Sequence, residues 1–159
     1  MKTPLAFGLA MVLAAPAFAQ AMAPDEYVKT SGASDLYEIT SSQTVLESTT
    51  DPKVRMFAEM MIKHHTKSTA DVKAAAMRAK LRPAPPMLMP AQNEMIAQLR
   101  AENGPARDQA YVAQQKASHG QALAVQTAYA QEGTSAPLKM AANKIVPVVK
   151  QHIAILKTM

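Results

Sequence analysis

The chain contains no cysteine. Disulfides, thiolate metal sites and cysteine nucleophiles are therefore excluded, even in an oxidising compartment where bridges would form. Tryptophan is also absent, and only 3 Phe and 4 Tyr are present. The basic residues, among them Lys53, Arg55, Lys63, Lys67, Lys73, Arg78, Lys80 and Arg82, are scattered along the chain without interleaved aromatics. A base-stacking platform for single-stranded nucleic acid needs such aromatics, so no nucleic acid partner is expected. Glycines number only 5 and sit at the edges of the apolar patterns. No Gly-rich phosphate loop, P-loop or nucleophile triad is visible, which leaves no reaction to name and makes a non-enzymatic role the expectation.

Long apolar runs are missing after the first twenty residues. The one at the N-terminus, Leu5–Ala15, follows Lys2 and precedes Ala17-Phe18-Ala19. A positive start, a short apolar stretch and a small-x-small site are the marks of a cleaved signal peptide. The run is shorter than the roughly 20 residues that span a bilayer. The expectation is an exported, periplasmic protein with residues 1–19 as signal peptide and 20–159 as one domain, without a transmembrane segment in the mature chain. Of the 17 Lys and Arg, Lys2 would leave with that peptide, so 16 face 12 Asp and Glu. That small excess reads as solvated helix surface.

What the chain does have is helix-forming residues: Ala, Met, Leu, Lys and Gln dominate it. A first helix is expected from about Asp25 to Thr49, with Pro24, Asp25 and Glu26 suited to its start. Asp51-Pro52 supplies an N-cap and a first-turn proline for a second helix reaching about Lys80. Ala58, Met61, Val72, Ala75 and Ala79 recur at steps of three and four, and His65 and Ser68 fill the missing steps. The prolines of residues 81–90 break the pattern. Pro90 opens a short helix ending near Asn103-Gly104, and Pro105 opens a third long one ending near Gly133. The last runs from Ser135–Pro137 to the C-terminus on the stripe Leu138, Ala141, Ile145, Val148, His152, Ile155 and Met159, with Pro147 expected to kink it. Short links join the first two helices and the last two, which makes each pair antiparallel. The fold expected is all-α, a ferritin-like four-helix bundle of two hairpins with a short extra helix in a long, crossover-like connection. A simple up-down bundle is the alternative.

The histidines are His64, His65, His119 and His152. His65 and His152 lie on apolar stripes, and His119 is placed to face the core. Counting from the turn at Asp51, Glu38 is thirteen residues before and His65 fourteen after. Counting from Thr134, His119 is fifteen before and His152 eighteen after. At about 1.5 Å of rise per residue all four reach similar heights. Glu38, His65, His119 and His152 therefore form a candidate site for Cu, Zn or Fe, with one residue from each long helix. Asp35 is a substitute for Glu38, whose phase is offset from Leu36, Ile39 and Leu46. The competing reading is a hydrogen-bonded core network of Glu, His and Tyr that fixes helix register without metal. The Glu-x-x-His pair of di-iron bundles is absent, which argues against a ferritin-type oxidase. Met56, Met60 and Met61, with Met87 and Met89, offer soft thioethers suited to Cu(I), although methionine also fills core gaps.

Several of these residues carry a resemblance. Tyr27-Val28-Lys29, Leu36-Tyr37-Glu38, the block from Asp51-Pro52-Lys53 through Met56-Phe57-Ala58 to His65-Thr66-Lys67, Asp108 to Val112, His119, Pro147 and His152 together resemble a bacterial exported family, domain of unknown function 4142. The resemblance implies a periplasmic or envelope-associated helical bundle and no particular activity. His64 departs from it, standing where that family usually has an acidic or polar residue. Met60 to His65 is similar, over a short stretch, to a second exported bundle family, domain of unknown function 305, some members of which are associated with copper. The function expected is a metal- or small-ligand-binding bundle protein in metal handling or envelope stress. The alternative is a non-metal structural or interaction module.

Overall fold

Proline punctuates this chain. Each helix of the computed structural model carries one at its first or second position, where the missing N–H has no intrahelical partner to lose. The structure describes residues 22–159; the expected signal peptide lies outside them. The described residues form five helices: α1 Pro24–Leu46, α2 Pro52–Arg78, α3 Pro90–Ala101, α4 Gly104–Glu132 and α5 Ala136–Leu156. No strand occurs among the described residues, and the fold is all-α. Asp51 caps α2 as its sequence suggested, its Oδ1 accepting from the N–H of Lys53 at 2.7 Å and of Val54 at 3.4 Å. α5 continues helically through Pro147. None of the described helices is long and apolar enough to cross a membrane.

The four long helices pack as a bundle in which α1 touches α2 and α4, and α5 touches α4 and α2. α1 and α4 are antiparallel: going up α1, Tyr27 bonds Gln126, Ser41 bonds Gln115 and Ser42 bonds Tyr111. Since α2 also opposes α1, α2 and α4 are parallel, and the connection 79–103 has to run back along the bundle between them. It does so across α1, where a Cβ on Gly32 would stand 3.3 Å from the Pro86 ring. α3, the last part of the connection, packs on α1 and α4 through Ile96 and Leu99.

Two apolar clusters occupy the two ends of the core. One gathers Tyr37, Val45, Phe57, Met61, Leu99, Tyr111 and Leu156. The other gathers Tyr27, Val72, Ala75, Tyr129, Leu138 and Ala142. Between them, on every long helix, buried polar residues take the place of apolar ones: Asp35 and Glu38 on α1, His65 on α2, Gln115 and His119 on α4, His152 on α5. This polar layer holds the candidate site.

Candidate metal centre

The inward face of α1 is unusual in composition. Ser31, Asp35, Glu38, Ser41 and Ser42 are all buried, at the three-and-four spacing that normally carries Leu or Ile. Buried polar groups need partners, and α4 supplies them for all but Asp35, which α2 serves. Gln126 bridges Tyr27 and Ser31, Gln115 donates to Ser41 at 3.1 Å, Ser42 and Tyr111 share a bond of 2.8 Å, and Ser118 donates to Glu38 Oε1 at 2.7 Å.

At the middle of this layer stand three imidazoles. One ring nitrogen from each of His65, His119 and His152 lies within 4.8 Å of the others, and all three residues are buried. Their remaining nitrogens are not idle. His65 Nδ1 is 2.8 Å from Asp35 Oδ1, and Asp35 Oδ2 accepts from Thr69. His119 Nδ1 is 2.9 Å from the carbonyl of Gln115. A carbonyl only accepts, so this nitrogen carries the proton and the lone pair of neutral His119 is on Nε2. That Nε2 is 3.2 Å from His152 Nδ1, and His152 Nε2 is 2.8 Å from Nδ1 of the half-buried His64. With every ring neutral, the bonds run in one direction: His64 donates to His152, His152 to His119, and His119 to the Gln115 carbonyl. The chain of donors leaves three buried acceptors of the layer unserved, His65 Nε2, Glu38 Oε2 and Gln115 Oε1. Phe57 closes the layer on one side, its ring centroid 6.2 Å from that of His119 and 6.4 Å from that of His152.

The electrostatics separate the four histidines. Burial pushes His152 down to about 3, helped by the neighbouring His119, His65 and His64 rings. Burial also lowers His119, more than the charge of Glu38 raises it. His64 is lowered by burial and by His65 and Lys63. For His65 burial again opposes the charge, but the hydrogen bond to Asp35 and the charges of Glu38 and Asp35 outweigh it, and the net shift is upward. Neutral imidazoles with directed lone pairs are what a transition metal requires of histidine.

The structure brings His65, His119 and His152 together. Glu38 is not one of the mutually close groups; its Oε1 lies 3.8 Å from His119 Nδ1, the nitrogen turned away from the cluster and toward Gln115. Asp35, one helical turn earlier, is the carboxylate hydrogen-bonded to His65. The methionines do not converge: Met61 is packed in the apolar core, while Met56 and Met87 are 68% and 78% exposed. Sequence reasoning left His64 out of the group, because adjacent residues point about 100° apart on a helix and His65 already occupied the inward stripe. Ser118 and Gln115 were missed as well. Nothing in the sequence of α1 pointed to them, since its polar stripe reads as solvent-facing until α4 is packed against it.

Comparison with known proteins fits this architecture. The model of the family described as Domain of unknown function (DUF4142) matches residues 10–159. No curated protein matches the chain. Among solved structures, the crystal structure of a DUF305 protein from Streptomyces coelicolor is similar with a TM-score of 0.70 and 15% identity, over 84% of this chain and 88% of that one. At that identity the similarity is one of fold. The chain belongs to the DUF4142 family.

Proposed function

We propose that this DUF4142 member holds one transition-metal ion in its core, with His65, His119 and His152 as ligands, and that it works in metal handling or envelope stress as an exported, periplasmic protein. One observation carries the reading: each imidazole of the cluster has its outer nitrogen tied to a group that can orient it. Metal-bound histidine almost always donates its second N–H to a carboxylate, carbonyl or water. Here Asp35 serves His65 and the Gln115 carbonyl serves His119. His64 Nδ1 can serve His152 by accepting instead of donating. His152 then turns its Nδ1 lone pair inward, and all three ligand atoms face one another. Bonds of about 2.0–2.1 Å in a tetrahedral site set nitrogens roughly 3.4 Å apart. The His119 and His152 nitrogens are already at 3.2 Å, and the other two separations, at most 4.8 Å, exceed the ligand spacing by no more than about 1.4 Å. Three imidazoles without thiolate suit Zn, Cu(II) or Fe, and a fourth position is left for water or an added ligand. The N-terminal pattern of Lys2, Leu5–Ala15 and Ala17-Phe18-Ala19 supports the exported location.

The second reading, a hydrogen-bonded core network that sets helix register, is favoured by the complete chain from His64 to Gln115. Its weakness is His65 Nε2, which is buried without a partner, a cost of about 1–3 kcal/mol that a metal would remove. Metal analysis and calorimetric titration of tag-free protein separate the two. The metal reading expects one equivalent of Zn or Cu, lost in His65→Ala and His152→Ala. The network reading expects no stoichiometric uptake and lower thermal stability in both variants.

A further inference from the structure

We propose that the groove between α2 and α5 is a binding site for a small amphipathic carboxylate, a free monocarboxylic acid with an unbranched apolar tail. The two helices follow each other antiparallel and leave between them a cavity of about 620 Å³, within the roughly 300–1,000 Å³ of small-molecule sites. It runs from His64, His65 and His152 at one end to Arg78 and Met140 at the other. Over the 13 residues from His65 to Arg78 that is about 20 Å at helical rise.

The two sides of the groove differ in chemistry. The α5 side is apolar, with Ala141, Ile145, Val148 and Val149 along it. Met140 and Val148 are 62% and 36% exposed, a run of apolar surface that no element of the described fold covers. The rim is cationic. Of its charged residues, Lys67 is bonded to Asp71, its neighbour one turn on. Arg78 and Lys144 have no carboxylate within ion-pair distance among the described residues. An apolar trough with two uncommitted cations toward one end, one from each helix, complements a molecule with one anionic end and a hydrocarbon body. The planar guanidinium of Arg78 suits a carboxylate, and the tail would lie along Ile145 and Val148 toward the histidines. The groove shares His65 and His152 with the proposed metal centre at its far end, but its anion-binding end at Arg78 and Lys144 does not depend on a metal being bound.

The test uses the full chain after treatment with a chelator, so that its outcome is independent of the metal reading. Decanoate below its micellar concentration is titrated by calorimetry and by backbone-amide NMR. The expected result is saturable binding of one molecule per chain, with shifts confined to α2 near Ala74 and to α5 near Ile145. Neutral decanol is expected to bind at least about tenfold more weakly, because it leaves the cations unpaired. Arg78→Glu with Lys144→Glu is expected to weaken decanoate by a similar about tenfold factor. Both positions are exposed, so the variant keeps its helical circular dichroism. An Ile145→Glu variant tests the trough separately and is expected to abolish binding. The proposal is overturned by an absence of saturable binding, by several molecules bound per chain as a surfactant would, by equal affinity for decanol, or by decanoate affinity unchanged in the charge-reversed variant.

Discussion

At the scale of single residues, the site is governed by which nitrogen of each imidazole is already spoken for. Asp35 decides this for His65. It fixes the proton on Nδ1 and, with Glu38, lifts the ring above its ordinary value against the opposing effect of burial. Asp35→Asn keeps an acceptor and removes the charge. The His65 titration followed by NMR should then move to lower pH, and metal affinity should fall about 10–100-fold, the usual cost of losing an outer-sphere carboxylate. A titration that does not move would mean that the carboxylate has no hold on the ring. The residue scale is also where the sequence was least legible. Height matching brought His65, His119 and His152 to one level, and these three converge. It paired His65 with Glu38 because the turn was taken at Asp51. In the structure α1 ends at Leu46 and non-helical residues precede α2, which moves the opposing carboxylate one turn back to Asp35. A shift of three residues is invisible to a count of rise per residue yet changes which side chain meets the ring.

At the scale of elements, the helix limits were readable because proline and aspartate act locally. Asp51-Pro52 opens α2, Pro90 opens α3, and the proline-rich run separates them for reasons internal to each segment. Asp51→Ala should remove two accepted N–H bonds at the start of α2 and cost about 1 kcal/mol by chemical denaturation. A loss near zero would show that water replaces the cap fully. The face of α1 was harder to read. Its stripe of Ser31, Asp35, Glu38, Ser41 and Ser42 looks solvent-facing by composition, and only polar partners from α2 and α4 turn it into a core face. Local sequence carries no record of such partners, since they come from residues 30 to 95 positions away.

At the scale of the whole molecule, a polar layer between two apolar clusters makes stability depend on pH. In the unfolded chain the imidazoles take up protons near pH 6.5. In the folded metal-free chain His64, His119 and His152 do so only at lower pH. The unfolded state therefore binds more protons as pH falls below about 6.5, and these three residues lose stability on acidification. His65 works in the opposite sense: its raised value contributes stability below about pH 6.5 that disappears as pH rises through its folded value. Between pH 7 and 5 the loss at His152 exceeds what a raised His65 can gain, so the melting temperature of chelated protein should drop. His152, held down to about 3, should account for about 2 kcal/mol of that loss by pH 5. His152→Asn should flatten the profile; an unchanged slope would place the acid sensitivity elsewhere.

On the proposed function, the three buried imidazoles are ligands. X-ray absorption spectroscopy of tag-free protein loaded with one equivalent of zinc tests it most directly. Three imidazole nitrogens at about 2.0–2.1 Å are expected, with one further light atom. A shell of oxygen with fewer than two imidazoles, or a spectrum unchanged by His65→Ala, would contradict it.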